Sequence, residues 1–288
     1  YAMTIQRSMM AIILTAAIAI AAAAQYGGGT GDPNDPWQIA DPNDLIDMGA
    51  NTAHYGDHFI LTADIDMTGF AFTAAVIAPD TSTSNGFQGT KFTGVLDGDG
   101  HTIANLAIVD PNAANDYLGL VGYLNGGTIR NLTLASVTAN GDTYIGGLVG
   151  YNNNGHLTDC HVDGAILGSR ELGMLTAYNV GGAISNCSAL GQVRGTGSWV
   201  YIGGLVGYQS GSTASIASSH ADCTMNGGRY VGGLLGYLAG GAVTDSYATG
   251  EVTGSETVGG LIGYINAGAV DSCHATGAVT ATSPYSPA

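Results

Sequence analysis

The phrase Ile202-Gly203-Gly204-Leu205-Val206-Gly207-Tyr208 returns along the C-terminal two-thirds of the chain. It recurs at Leu118 to Tyr123, Ile145 to Tyr151, Val231 to Tyr237 and Val258 to Tyr264, with a worn copy at Leu172 to Tyr178. The closing tyrosines, Tyr123, Tyr151, Tyr178, Tyr208, Tyr237 and Tyr264, are spaced by 28, 27, 30, 29 and 27 residues. A near-constant period of this length marks a repeat architecture, in which each unit buries its apolar face only by stacking on its neighbours. The chain is therefore expected to be a solenoid.

Further columns follow the tyrosines. Six residues after most of them stands an apolar residue, Ile129, Leu157, Ile184, Val243 or Val270, with Ile216 displaced by two. Two positions on are Asn131, Asp159, Asn186, Ser218, Asp245 and Ser272, short polar residues suited to a corner where side chains bond neighbouring backbone. Three on are Leu132, Cys160, Cys187, Ser219, Ser246 and Cys273. Each period thus supplies about three short strands separated by glycine or small polar corners. The fold class this predicts is all-β: a right-handed parallel β-helix of 27–30-residue coils with an N-terminal cap. Successive coils would stack at ~4.8 Å and turn equivalent residues into ladders. Leu120, Leu148, Leu175, Leu205, Leu234 and Leu261 are expected to form the inner wall, at roughly 1.5–3 kcal/mol of transfer free energy each. Leucine and tyrosine lie three apart, which in a regular strand sets them on opposite sides. The paired glycines between strands leave the tyrosine side open.

Composition agrees with short strands and tight turns: 47 glycines, and only 10% charged residues. The net charge of −16, with six basic residues, would repel phosphate backbones and anionic lipid, which argues against nucleic-acid binding. Arg7 precedes an apolar run from Met9 to Ala24 that ends in small residues, so residues 1–24 read as an export signal and not as a membrane span. Residues 25–112 read as a cap with the first coils. Within them, Trp37-Gln38-Ile39, the amphipathic stretch Asp44 to Ala50, and strand-like runs at Phe59 to Asp66, Phe92 to Asp97 and Thr102 to Ile108 stand out. Residues 113–282 form six repeats, and 283–288 a tail at which the array simply stops, the expected mark of a truncated end.

The phrase Gly-Gly-Leu-Val-Gly-Tyr, followed by Ile-x-Asn-Cys and Ala-x-Gly-x-Val, resembles the GLUG motif, a repeat of bacterial exported and surface proteins. Its hosts include the non-catalytic regions of metallopeptidases that cleave immunoglobulin A. The segment with Asp35-Pro36-Trp37-Gln38-Ile39 and Leu96-Asp97-Gly98-Asp99-Gly100-His101 is similar to what precedes such repeats. The third repeat departs, with Met174, Thr176 and Ala177 in place of glycine, valine and glycine. The resemblance implies a β-helix that is secreted or held at a bacterial cell surface; it implies no reaction.

Catalytic readings find little support. A zinc peptidase would need a His-Glu-x-x-His helix, and the three glutamates, Glu171, Glu251 and Glu256, lie in no such pattern. His161, His220 and His274 share a column but fall two coils apart, about 10 Å by strand spacing, which reads as a solvated outer face. His54 and His58 read as cap surface. Asp97 and Asp99, and likewise Asp32 and Asp35, could hold calcium through clustered oxygens, although Asp-Gly pairs are also ordinary turn formers. No other cofactor is indicated. The cysteine column reads as small buried filler with free thiols. The expected function is an exported, non-catalytic adhesin, stalk or spacer, whose partners would be a glycan or a host or extracellular-matrix protein. The alternatives are a carbohydrate-active β-helix enzyme, which would need clustered or facing carboxylates, and a subunit that self-associates into filaments through open coil ends.

Overall fold

A computed structural model describes residues 26–282, except 83, 111–114 and 199. The signal and tail segments, 1–24 and 283–288, lie outside the described residues.

The columns read from the sequence are hydrogen-bonded registers. Leu157 pairs with Ile129 and Ile184, Ile184 with Ile216, and the series continues through Val243 to Val270, every pairing parallel. Three stacks of strands form the walls: a long sheet, a short sheet from Ile145–Gly146 to Thr257–Gly259, and a third from Val121–Asn125 to Ile262–Ile265. The result is a parallel β-solenoid of about 6 coils. Registers also run back into the first coils, since Trp37 pairs with Phe59, Phe59 with Leu96 and Leu96 with Ile129. The cap and the array therefore share one core.

Runs that looked continuous in the first coils are broken. Phe59 to Asp66 divides into His58–Leu61 and Ile65–Asp66, and Thr102 to Ile108 into Thr102–Ala104 and Ala107–Val109. The second break falls at Asn105, whose φ of 60° is left-handed and ends the extended run. The helix Pro42–Ala50 begins on Asp41, whose carboxylate accepts the amides of Asn43 and Asp44, with proline at its first turn. Leu45 and Met48 on it are fully buried, closing the first coil.

The leucine column faces inward as its spacing requires: Leu120, Leu148, Leu175, Leu205 and Leu234 are 0% exposed. Leu261, in the last described coil, is partly buried. The glycine pairs make the bend between the short sheet and the third sheet. A Cβ on Gly203 would collide with the Val206 carbonyl, and the equivalent clash recurs at Gly232 with Leu235 and at Gly259 with Ile262. The polar corner has a backbone cause as well as a side-chain one. Asn131, Asp159, Asn186, Ser218, Asp245 and Ser272 all adopt φ between 48° and 53°. Asn and Asp tolerate this region better than other residues with a Cβ, and β-branched residues tolerate it worst. Asn186→Val is expected to cost about 1–2 kcal/mol and Asn186→Gly close to nothing, as read from denaturant midpoints. Equal costs would show that side-chain bonding, not backbone conformation, selects the residue.

Candidate functional site

The tyrosine column lies on the outer side, half-buried from Tyr123 to Tyr237 and exposed at Tyr264, so the strands carry leucine inward and tyrosine outward. From Tyr123 to Tyr264 successive ring centroids stand 4.8, 5.0, 4.5, 4.9 and 5.1 Å apart. The first four pairs are stacked within 20° of parallel. Beneath them Val121, Val149, Val206 and Leu235 are fully buried.

A second column, not read from the sequence, packs against the first. Tyr117, Tyr144, Tyr201 and Tyr230 lead into the short-sheet strands, and all but the tilted Tyr117 stand nearly perpendicular to the motif tyrosines: Tyr144 to Tyr151 at 80°, Tyr201 to Tyr208 at 85°, Tyr230 to Tyr237 at 84°. The signal was present, because Tyr144, Tyr201 and Tyr230 each sit seven residues before a motif tyrosine. The two columns make an edge-to-face surface of the kind aromatic quadrupoles favour, worth about 0.5–1.5 kcal/mol per pair beyond burial. Interior rings of the motif column have both faces covered by neighbours above and below. This surface accordingly offers ring edges and phenol oxygens, not open ring faces. Burial and neighbouring phenols push the Tyr151 hydroxyl up to about 12 and raise those of Tyr117 and Tyr178 further. These phenols stay protonated and can both donate and accept.

Glu171 interrupts the second column. It pairs in register with Tyr201 and is 5% exposed. Its Oε2 is buried with no hydrogen-bond partner. The Arg170 guanidinium is 3.9 Å from Oε1, too long for a hydrogen bond, and is itself largely exposed. Burial therefore dominates and raises the carboxyl above its ordinary range, with Arg170 offsetting it only in part. A group raised on folding contributes stability below the unfolded-state pKa and loses it as pH rises through the folded value. Glu171→Gln is accordingly expected to raise Tm at about pH 7 and to leave it unchanged at about pH 4. Thermal melts at both pH values check this, and a flat comparison would mean that water reaches the carboxylate.

The remaining residues singled out in the sequence take structural places. Asp97 Oδ2 accepts from Arg130 Nε at 2.7 Å, and its Oδ1 accepts from Asn131 Nδ2 and the Asp99 amide at 3.0 Å. Burial pushes the Asp97 carboxyl up, but these hydrogen bonds and the Arg130 charge outweigh it and hold the group below its usual range. Asp99 occupies the left-handed turn position, with φ of 49°. Asp97 and Asp99 thus sit in a turn and an ion pair, and no group of three or more metal-ligating side chains forms among the described residues. His220, Tyr247 and His274 stack at 4.8 and 5.2 Å on the outer face, while His161 Nδ1 meets Ser188 Oγ at 2.7 Å. His54 stacks on Trp37 within the cap.

The cysteines are free. Cys160 and Cys187 donate to the carbonyls of Thr158 and Ser185, two residues back, as the hydroxyls of Ser219 and Ser246 do to Ala217 and Thr244. That shared bond explains why serine and cysteine exchange in one buried column.

The family model of the GLUG motif matches residues 141–167, 227–253 and 254–280. Over 122 residues, 38% of this chain, the sequence is 39% identical to halomucin of Haloquadratum walsbyi, of which the match spans 1%. Two solved structures share the fold. One is a Bacteroides ovatus protein provisionally assigned as an immunoglobulin A1 protease, with a TM-score of 0.68 at 22% identity over 86% of this chain and 77% of that one. The other is an IgA1 protease, with a TM-score of 0.64 at 22% identity over 86% of this chain and 20% of that one. The chain thus carries GLUG motifs on a β-solenoid that recurs within larger proteins.

Proposed function

We propose that this GLUG-bearing solenoid is a secreted or cell-surface, non-catalytic repeat protein that acts as an adhesin, stalk or spacer. The observation that carries the reading is the ladder arrangement itself. Coil after coil presents the same side chains at one spacing along a rigid hydrogen-bonded stack, which suits multivalent contact along a face. Similarity to halomucin supports an extracellular setting, and among the described residues no helix is long and apolar enough to cross a membrane. The test is binding of the full chain to an array of glycans and extracellular-matrix proteins, with and without calcium. Specific signals would support the adhesin, and their dependence on calcium would bring the Asp97 and Asp99 turn into the surface. A blank array from folded protein would leave the stalk or spacer.

A further inference from the structure

The outer face of the long sheet has a depression of about 310 Å³ where the strands Thr128–Asn140, His156–Gly168 and Ser188–Gly195 lie side by side. This volume is at the small end of the range for ligand sites. Its floor is made of small side chains, Ala165 and Thr138, over the buried Ile166. Val109 and Leu167 supply apolar walls, and Arg194, Asn140 and Gln192 complete the lining. Leu167 and Arg194 are paired in register, so the guanidinium stands directly beside an apolar side chain.

Two independent features point to a ligand. The first is charge. Among the described residues Arg130, Arg170 and Arg229 each face a carboxylate within 4 Å, and Lys91 lies over the Tyr123 ring. Arg194 alone has no such partner, in a chain of net charge −16, and its row of the sheet, Asn140, Leu167, Arg194 and Asn226, carries no acid. The second is exposed apolar surface. Outside the last described coil the only exposed large hydrophobic side chains among the described residues are Val109 and Leu190. Val109 lines this depression, and Leu190 lines the adjoining one two residues along the strand from Gln192. An isolated exposed apolar residue needs no explanation, but two beside an unpaired arginine and two amides form a patch of mixed chemistry.

From this geometry we infer that the depression binds an acidic sugar unit, a hexuronate within an extracellular glycan. The apolar ring face of the sugar lies over Thr138 and Ala165, alongside the neighbouring row of Val109, Asn140, Leu167 and Arg194. The uronate carboxylate takes the Arg194 guanidinium in a charge-assisted, two-pronged pair, and the amides of Asn140 and Gln192 exchange hydrogen bonds with ring hydroxyls. A peptide fits less well. The strands here are paired on both sides, so no sheet edge is open to an added strand, and the shallow floor has no hole for a large side chain. The inference rests on the adhesin reading, for which it supplies a ligand.

The test is calorimetric titration of the full chain with trigalacturonate and with galactotriose, which differ in carboxylate against hydroxymethyl. Trigalacturonate is expected to bind, galactotriose at least about tenfold more weakly, and added salt to narrow the gap. Arg194→Gln is expected to weaken trigalacturonate roughly tenfold or more and to leave galactotriose unchanged. Ala165→Trp, which fills the floor, should abolish both without changing the melting curve. Equal affinity for the two sugars, no effect of Arg194→Gln, or no binding at millimolar concentration would overturn the site. So would an aspartate-rich peptide that binds more tightly than trigalacturonate and is lost with Arg194→Gln. Array signals that survive Ala165→Trp would overturn this site and keep the adhesin. A blank array beside intact trigalacturonate binding would keep the site and remove the adhesin.

Discussion

Leu205→Asp is expected to cost about 5 kcal/mol and to split one melting transition into two. Leu205 is fully buried in the leucine column. The substitution removes an apolar side chain worth about 2–5 kcal/mol in a core and places a carboxylate among Leu175, Leu234 and the facing walls with no cation to meet it. In a stack where each coil contacts only its neighbours, a defect at one rung uncouples the coils before it from those after it. Calorimetry on the full chain should show the blocks melting separately. Thr224→Asp, outward in the same coil, serves as the control and should stay within about 0.5 kcal/mol of the parent. An unaltered profile for Leu205→Asp would mean that the column does not face the core.

The second large effect comes from inside the same wall. The residue after each motif tyrosine points inward and forms the column Leu124, Asn152, Asn179, Gln209, Leu238 and Ile265. Three of these are amides, all 0% exposed. Asn152 Nδ2 donates to Asn179 Oδ1 at 2.9 Å, and Asn179 Nδ2 donates to Gln209 Oε1 at 3.0 Å and to the Gly182 carbonyl at 3.1 Å. Asn179→Leu would strip Gln209 Oε1 and the Gly182 carbonyl of this donor and Asn152 Nδ2 of its side-chain acceptor, at about 2–4 kcal/mol. Replacing Asn152, Asn179 and Gln209 together with leucine removes every side-chain member of the network and extends the apolar column from Leu124 to Leu238, while the Gly155 amide, which donates to Asn152 Oδ1 at 3.0 Å, loses its acceptor. That triple variant is expected to cost less than the sum of the three single variants, because the amides no longer leave one another unsatisfied. Denaturant midpoints of the single and triple variants decide it; a triple cost equal to the sum of three single costs would mean that the amides act independently.

What could be read from the sequence was what repeats. The leucine column, the tyrosine column and the polar corner recur in coil after coil, and period alone places them; the outward side of the tyrosines stayed open, because the glycine pairs bend the chain between leucine and tyrosine. The second tyrosine column was missed because reading from the closing tyrosine draws the eye forward from Tyr208, whereas Tyr201 stands before the phrase. Glu171 and Thr257 in that column also blur its pattern. The amide ladder was illegible for the opposite reason. Leucine and isoleucine hold the column's other positions, so three amides read as polar scatter until the stack joins them. The corner residues were legible as polar, but the left-handed backbone that selects them is a property of the turn. Arg194 was counted only as one of six basic residues, since the absence of a partner is a fact of space.

The amide ladder has a consequence for how such a chain can change length. The last two coils present matching neighbours: Ala248 and Ala275 in one column, and Tyr237 and Tyr264 in another. A gene duplication that copied one of these coils whole would find its new neighbours already complementary. A duplication between Asn152 and Gln209 would instead insert a rung that must continue a donor-to-acceptor chain with one direction and defined ends. Lengthening is therefore permissive towards the C-terminal side and restricted in the middle, so the three amide-bearing coils form a fixed segment beside which the rest of the array can grow or shrink by whole coils.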